Sequence, residues 1–184
     1  MANNCFYQMR VVGKKENVEE FVKVLNYEDD NHWLSRIFSA YDENWENLKD
    51  GRVVCSIDGD CAWSVHSCMF SGYGSYFGDG TDAKAGQTTV GMESRRLQLE
   101  IEIYSTEPGI GFAEHYFIRN GEVLISDEVD YNEYWYDGGD YENFEEFKKE
   151  YHLPDDLEEE DLQDGSYYEG GYDVYFQSDD YERA

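Results

Sequence analysis

Cysteine and histidine residues are the first candidates for chemistry in this chain. Cys61, His66 and Cys68 lie close together in the sequence, and thiolate and imidazole groups are ligands that zinc prefers. Structural zinc sites take four ligands at recognisable spacing, commonly from Cys-x-x-Cys pairs, and this sequence has no such pair. Because the N-terminus lacks the apolar segment of a signal peptide, we expect buried free thiols in a reducing compartment.

A catalytic pair or an acidic site is the second possibility. Cys61 or Cys68 could act as a nucleophile with His115 as base, since such pairs need proximity in space rather than in sequence. Acid pairs such as Glu100 with Glu102 could serve acid–base chemistry or a metal, but a chain with 42 acids contains such pairs by chance. The P-loop, GxSxG, HExxH and GxGxxG motifs are missing from the sequence. We therefore expect a protein without enzymatic activity, cofactor or bound metal.

Negative charge is the dominant feature of the composition. The 184 residues include 42 Asp and Glu against 14 Lys and Arg, which gives a formal net charge of -28. Phosphate is attracted by Lys and Arg, so this balance excludes binding to nucleic acid or to an anionic membrane through a basic face. Aromatic residues make up 17% of the chain, which is unlike an acidic disordered protein. No apolar run approaches the roughly 20 residues of a membrane helix.

The charge is concentrated in the last third of the chain. Residues 1–126 hold 20 acids and 11 bases, whereas residues 127–184 hold 22 acids and 3 bases, interleaved with Tyr, Phe and Trp. Duplex DNA carries about one charge per 1.7 Å of its axis, so the net charge matches about 48 Å of duplex. A compact chain of this length has a diameter of about 41 Å. The protein thus carries about as much charge along its length as DNA does.

The hydrophobic pattern predicts the elements that position these groups. The first elements are a strand over Cys5–Val12, a helix over Lys15–Leu25, a segment over Trp33–Tyr41 that fits strand or helix and is taken as a strand, and a strand over Arg52–Ile57. There follow an apolar segment over Ala62–Phe70, a long loop over Ser71–Gly91, a strand over Leu97–Ile103, a hairpin of Phe112–Ile118 and Val123–Ile125, and a helix over Asn143–Tyr151. Asp58-Gly59-Asp60 is expected to be a turn, and Asn120-Gly121 a hairpin turn. Strict alternation over Leu97–Ile103 predicts a central, half-buried strand with an acidic outer face.

This order predicts an α+β fold with an antiparallel or mixed sheet and helices on one face. We expect a domain over residues 1–126. The acidic, aromatic-rich residues 127–184 should pack on it, with the last few residues frayed.

Three short motifs resemble the YubB-like ferredoxin-fold family of plasmid and phage proteins. They are Asn3-x-Cys5, Ala62-Trp63-Ser64 and the segment from Tyr104 to Phe112 that contains Glu107-Pro108-Gly109. The resemblance covers roughly residues 3–126. It implies a ferredoxin-like sandwich carried by a mobile genetic element, and it implies no established activity.

Together these observations favour an inhibitor that imitates nucleic acid. Its acids would pair with the Lys and Arg of a basic host protein, a Cas nuclease being the leading target and a restriction system the other, while its Tyr and Trp rings would stack on guanidinium groups. We expect it in the bacterial cytoplasm. The predicted partner-binding residues are Asp127, Glu128, Asp130, Tyr134, Trp135, Tyr136, Asp137, Asp140, Glu158, Glu159, Glu160 and Asp161. The alternative is a non-catalytic structural or regulatory module of a conjugative element or phage, whose acidity serves solubility alone.

Overall fold

The computed structural model describes residues 3–70, 85–107, 109, 111–130, 143–150, 155, 158 and 176–184. The elements in chain order are β1 (Asn4–Gly13), α1 (Lys15–Leu25), β2 (Ile37–Asn47), β3 (Val53–Ala62), a π-helix (His66–Phe70), α2 (Val90–Leu97), β4 (Glu100–Glu107), β5 (Phe112–Arg119), β6 (Glu122–Asp130), α3 (Phe144–Glu150) and a 3₁₀ helix (Gln177–Asp180). Within this part of the chain, no helix is long and apolar enough to cross a membrane.

The strands form one six-stranded sheet in the order β2-β3-β1-β4-β5-β6, and every neighbouring pair is antiparallel. Alternate residues of β1 are buried in the main core, among them Met9 and Val11, together with Val18 and Phe21 of α1 and Val90 of α2. Helices α1 and α2 therefore cover the same face of the sheet. The prediction of an α+β fold is confirmed.

Several predicted elements are confirmed with small changes in their bounds. Helix α1 spans the predicted residues because its apolar side chains recur on one helical face and are buried. Helix α3 lies inside the predicted Asn143–Tyr151, and the Asn143 side chain accepts a hydrogen bond from the Glu146 amide at 3.0 Å. Strand β2 begins later than predicted and runs on to Asn47, because an outer strand tolerates the polar residues that follow Tyr41.

The expected turn at Asp58-Gly59-Asp60 is wrong, because β3 continues through it to Ala62. The glycine serves a close approach instead. The Tyr7 ring crosses over Gly59, and its hydroxyl donates to the Ser39 carbonyl at 2.8 Å. A Cβ atom on Gly59 would collide with both that carbonyl and the Tyr7 ring.

The strand predicted at Leu97–Ile103 is an interior strand, as expected, but it begins at Glu100 and ends at Glu107. Leu97 instead ends α2, and Gln98 follows in the left-handed conformation at φ 54°. Helix α2 was missed because it is short and begins inside the predicted loop Ser71–Gly91. Thr89 caps it by accepting a hydrogen bond from the Met92 amide at 3.2 Å. Residues 71–84 of that loop lie outside the described residues.

The predicted hairpin is confirmed, with β5 and β6 joined by Asn120-Gly121 at φ 51° and 82°. Two positive φ angles are what a tight hairpin turn requires, and they explain the glycine. Strand β6 runs across the predicted boundary at residue 126.

Replacing Gly121 with alanine should lower the free energy of unfolding by about 1–3 kcal/mol. The φ of 82° is unfavourable for a side chain, and the new Cβ would lie 2.7 Å from Arg95 Cβ and 3.0 Å from the Gly91 carbonyl oxygen. Gly51 is a matched control, because its φ is 88° and a Cβ there has nothing within 4 Å. Urea denaturation of both variants measures the difference. Equal losses would show that contact between the hairpin and α2 has no part in the effect.

The last residues are held to the sheet, where the sequence analysis expected fraying. The Ala184 amide donates to the Asn47 carbonyl at 2.8 Å, and the Lys49 amide donates to the Glu182 carbonyl at 2.9 Å. Arg183 pairs with Leu48 as an antiparallel bridge. These bonds join Glu182–Ala184 to the last residue of β2 and to the two residues after it. Phe176–Ala184 is therefore part of the folded structure.

Candidate binding surface

The sheet face opposite α1 and α2, called the outer face here, carries the polar side chains of the strands. Alternation places Gln8 and Arg10 of β1 on it, because their neighbours Met9 and Val11 are in the core. The strand register aligns Tyr41, Asp58, Gln8, Tyr104, His115 and Asp127 in one row across the six strands. The outer face therefore combines aromatic, acidic and basic groups.

A buried Glu–His pair lies at the centre of the outer face. Glu102 Oε1 is 2.8 Å from His115 Nε2, and the two side chains are 2% and 1% exposed. The Gln177 amide donates to Glu102 Oε2 at 2.6 Å. Burial, more than any neighbouring charge, raises the pKa of Glu102 to about 8. The pair therefore holds a proton at neutral pH, and it ties the C-terminal segment to the sheet.

Aromatic rings cover this pair. Tyr104 stacks on the His115 ring with centroids 3.9 Å apart, and Phe176 meets Tyr104 edge-on at 5.2 Å. The Arg10 guanidinium lies over the Phe176 ring, 4.4 Å from its centroid. The expected solvated acidic face of the central strand is therefore wrong at Glu102, because Phe176–Ala184 folds back over it.

A group of ion pairs lies beside the Glu102–His115 pair on the outer face. Glu100 is the shared acceptor: it pairs with Arg52, with Arg119 at 3.2 Å, and with the Tyr181 hydroxyl at 2.6 Å. Burial and the Glu100 carboxylate raise the pKa of Tyr181, so its hydroxyl stays protonated and remains a donor. The segment Phe176–Ala184 is thus held to the sheet by both aromatic packing and charge-assisted hydrogen bonds.

A second buried acid, Glu114, lies on the helix-covered face. It accepts hydrogen bonds from the Val65 and His66 amides at 2.8 and 3.0 Å, and from Ser105 Oγ at 2.6 Å. The Glu114 carboxylate thus satisfies the amides at the start of the π-helix, as acidic groups at helix N-termini do. Burial nevertheless raises the pKa of Glu114. Its contacts assign it a structural role.

The Cys–His pair considered from the sequence is not brought together. Cys61 and Cys68 belong to the core under α1 and α2, whereas His115 points to the outer face, so the sheet lies between them. All four cysteines are buried and free. The Cys61 thiol donates hydrogen bonds to Cys5 and Cys68, and these bonds together with burial raise the pKa of Cys61. That thiol stays protonated and is not prepared for nucleophilic attack.

The predicted partner-binding residues are only partly within the described chain. Asp127 is half-buried and Glu128 is exposed, and the alternation of β6 places them on opposite faces of the sheet. Asp130 ends β6, and Glu158 is exposed. Those outside the described residues are Tyr134, Trp135, Tyr136, Asp137, Asp140, Glu159, Glu160 and Asp161.

Sequence analysis missed an acidic and aromatic surface on β2 and β3. These two strands contain five acids, Asp42, Glu43, Glu46, Asp58 and Asp60, and neither Lys nor Arg. Phe38 and Tyr41 lie beside them and are 53% and 64% exposed. The signal was present in the sequence as a run of acids after Tyr41. The larger excess of acids in residues 127–184 masks this shorter run.

Among the described residues, no group of three or more His, Cys, Asp or Glu side chains is arranged to hold a metal ion. Comparison of the chain with protein families, curated proteins and solved structures found no match in any of the three.

Proposed function

We propose that this protein is a non-catalytic inhibitor that imitates nucleic acid and occupies the basic groove of a host defence nuclease. A Cas nuclease is the leading target, and a restriction enzyme is the other. The acids of the inhibitor take the place of phosphates, and its exposed aromatic rings contact the Arg and Lys that normally hold nucleic acid. The host cytoplasm is where such a target would be met.

One observation carries this proposal: the described arginines that form ion pairs do so with the chain's own acids. Arg52, Arg96, Arg119 and Arg183 each pair with one or more of them. These four positive charges are thus held by acids of the same chain, while the chain as a whole keeps a net charge of -28. Self-repulsion on this scale costs stability, and a basic partner would explain why it is retained.

The strand order supports a finer assignment of the fold. Within Asn4–Glu107 the order is β2-β3-β1-β4, with α1 between β1 and β2 and α2 between β3 and β4. We propose that this part is ferredoxin-like, with the β5–β6 hairpin extending the sheet beyond β4. Such a fold agrees with the resemblance to the YubB-like family and with an origin on a mobile element.

The free protein should leave labelled duplex DNA and RNA unshifted in a mobility assay, yet displace nucleic acid from a guide-loaded Cas nuclease. The reason is electrostatic, because two polyanions repel while both are attracted by the same basic groove. Displacement should weaken as salt is raised. Changing Glu158, Glu159, Glu160 and Asp161 to amides should flatten that salt dependence, whereas amides at Glu16 and Glu19 of α1 should change it less.

Two results would contradict the proposal. One is a shift of duplex DNA by the protein alone. The other is failure to displace nucleic acid from every nuclease in a panel of Cas and restriction enzymes, which would favour a structural or regulatory module whose acidity serves solubility.

A further inference from the structure

Strand β2 is an outer strand of the sheet, and its stretch Phe38–Trp45, called the β2 edge here, has no further strand beside it among the described residues, although its register with β3 shifts at Phe38 and at Glu43. Natural sheets protect such strands with Lys, Pro or inward-pointing charges, because a free strand edge pairs readily with another chain. The β2 edge contains neither Lys nor Pro. Instead it exposes the large rings of Phe38 and Tyr41. This combination is typical of a strand that receives a partner.

The chain itself shows what kind of segment this side of β2 accepts. Glu182–Ala184 runs antiparallel to the end of β2, with backbone hydrogen bonds to Asn47 and Lys49. Its Arg183 guanidinium pairs with the Glu46 carboxylate of β2. An extended backbone that carries an arginine therefore already lies along this side of β2, directly beyond the β2 edge.

The charges near the β2 edge favour the same kind of ligand. Asp42 and Glu43 are exposed, and neither β2 nor β3 contains a Lys or Arg to compensate them. Asp58, next to Tyr41 in the register, has an Oδ1 atom that is buried without a hydrogen-bond partner among the described residues. Burial and Glu43 raise the pKa of Asp58, and Arg10 on the neighbouring strand β1 offsets that rise only in part. An incoming guanidinium would supply both the charge and the donors.

We propose that the β2 edge binds an extended, arginine-containing segment of the basic partner, which adds to the sheet as a further antiparallel strand. The occupant is a positively charged protein segment rather than a second copy of this chain, because two copies would bring acidic strands together. The inference rests on the proposed function only in taking the partner to be basic. It adds the surface and the mode of binding.

Synthetic peptides test this with the full chain, by fluorescence anisotropy near physiological salt. The probe is a peptide of about eight residues, a common strand length, in which Arg alternates with Thr and Val. Its control has Pro in place of Thr and Val, which keeps the charge but removes the amides that pair with a strand. We expect the control to bind about tenfold more weakly. Equal binding of the two peptides would reduce the interaction to charge attraction and overturn the proposal.

Matched variants locate the site. Changing Asp42→Asn together with Glu43→Gln should weaken binding of the alternating peptide about tenfold, whereas Glu16→Gln with Glu19→Gln, which removes the same charge from α1, should change it less than about twofold. Tyr41→Ala should also weaken binding, and Leu124→Ala on β6 should not. Equal effects within either matched pair would overturn the assignment to the β2 edge.

Two further outcomes separate this inference from the proposed function. If β2-edge variants displace nucleic acid from the nuclease as well as the parent does, the inference fails and the function stands. If the alternating peptide binds as expected but no nuclease releases nucleic acid, the function fails and the docking strand stands. Sedimentation equilibrium adds a third result: a dimer that Tyr41→Ala dissociates would assign the β2 edge to self-association and overturn the proposal.

Discussion

Replacing Phe176 with alanine should lower the free energy of unfolding by about 3–5 kcal/mol, the usual range for a buried phenylalanine. The Phe176 side chain is 1% exposed, and it lies between the Tyr104 ring and the Arg10 guanidinium. Its loss would leave a cavity above the Glu102–His115 pair and admit water to that pair. Chemical denaturation followed by circular dichroism measures the change.

Phe38→Ala is the matched control for this experiment. It removes the same atoms from a ring that is 53% exposed, so its cost should stay within about 0.5–1 kcal/mol. If Phe176→Ala costs no more than Phe38→Ala, the C-terminal segment does not stabilise the sheet. A loss near the expected value means that a chain truncated near residue 126 lacks part of its own core, so binding must be mapped with charge-only substitutions in the full chain.

Local sequence patterns predicted much of the fold, because the secondary structure of these segments is determined by residues that are close together in the sequence. The apolar face of α1, the alternation in β4 and the Asn120-Gly121 turn each carry their signal within a few residues. Errors arose where a distant contact overrides that signal. Gly59 reads as a turn residue until the Tyr7 ring is seen crossing it, and Leu97 reads as a strand residue until Gln98 is seen to turn the chain.

The candidate surface was harder to predict, for the same reason. Glu102 alternates with apolar residues, which is the pattern of a solvated strand face. In the described part of the chain it is covered by Phe176–Gln177, which are distant in sequence. No sequence pattern near Glu102 indicates that a segment distant in sequence buries this side chain. Net charge predicts a basic partner from composition alone, and this stays a prediction. The location of the acidic and aromatic surface on β2 depends on which strand lies at the edge of the sheet. The strand order of the sheet determines this.

Stability should fall as the pH rises from about 5 to about 9, and Glu102→Gln should remove most of that fall. Burial raises the pKa of Glu102 from its ordinary 4.5 to about 8, so between these values the folded state holds a proton that the unfolded state has released. Stability then decreases with pH, fully present below about 4.5 and lost as the pH passes 8. At about 1.4 kcal/mol per pKa unit, the total loss is about 2–5 kcal/mol.

The glutamine variant isolates this proton from the other groups near the pair. Gln matches a protonated Glu: its oxygen can accept from the Gln177 amide, and its amide can donate to His115 Nε2. Arg10, Glu100 and Asp179 also act on Glu102, but they are unchanged in the variant. Glu102→Gln should therefore be close to the parent at pH 5 and more stable by about 2–4 kcal/mol at pH 9.

Glu128→Gln is the control for the change in charge, since it removes one exposed acid from β6 and should leave the pH profile of the parent intact. Urea denaturation of the three proteins at pH 5, 7 and 9 gives the comparison. If the parent and Glu102→Gln lose stability in parallel as the pH rises, the proton is not held by Glu102. If the variant is less stable at every pH, Glu102 is ionised in the fold and pairs with a charged His115, and acidification rather than alkalinisation should then release the C-terminal segment.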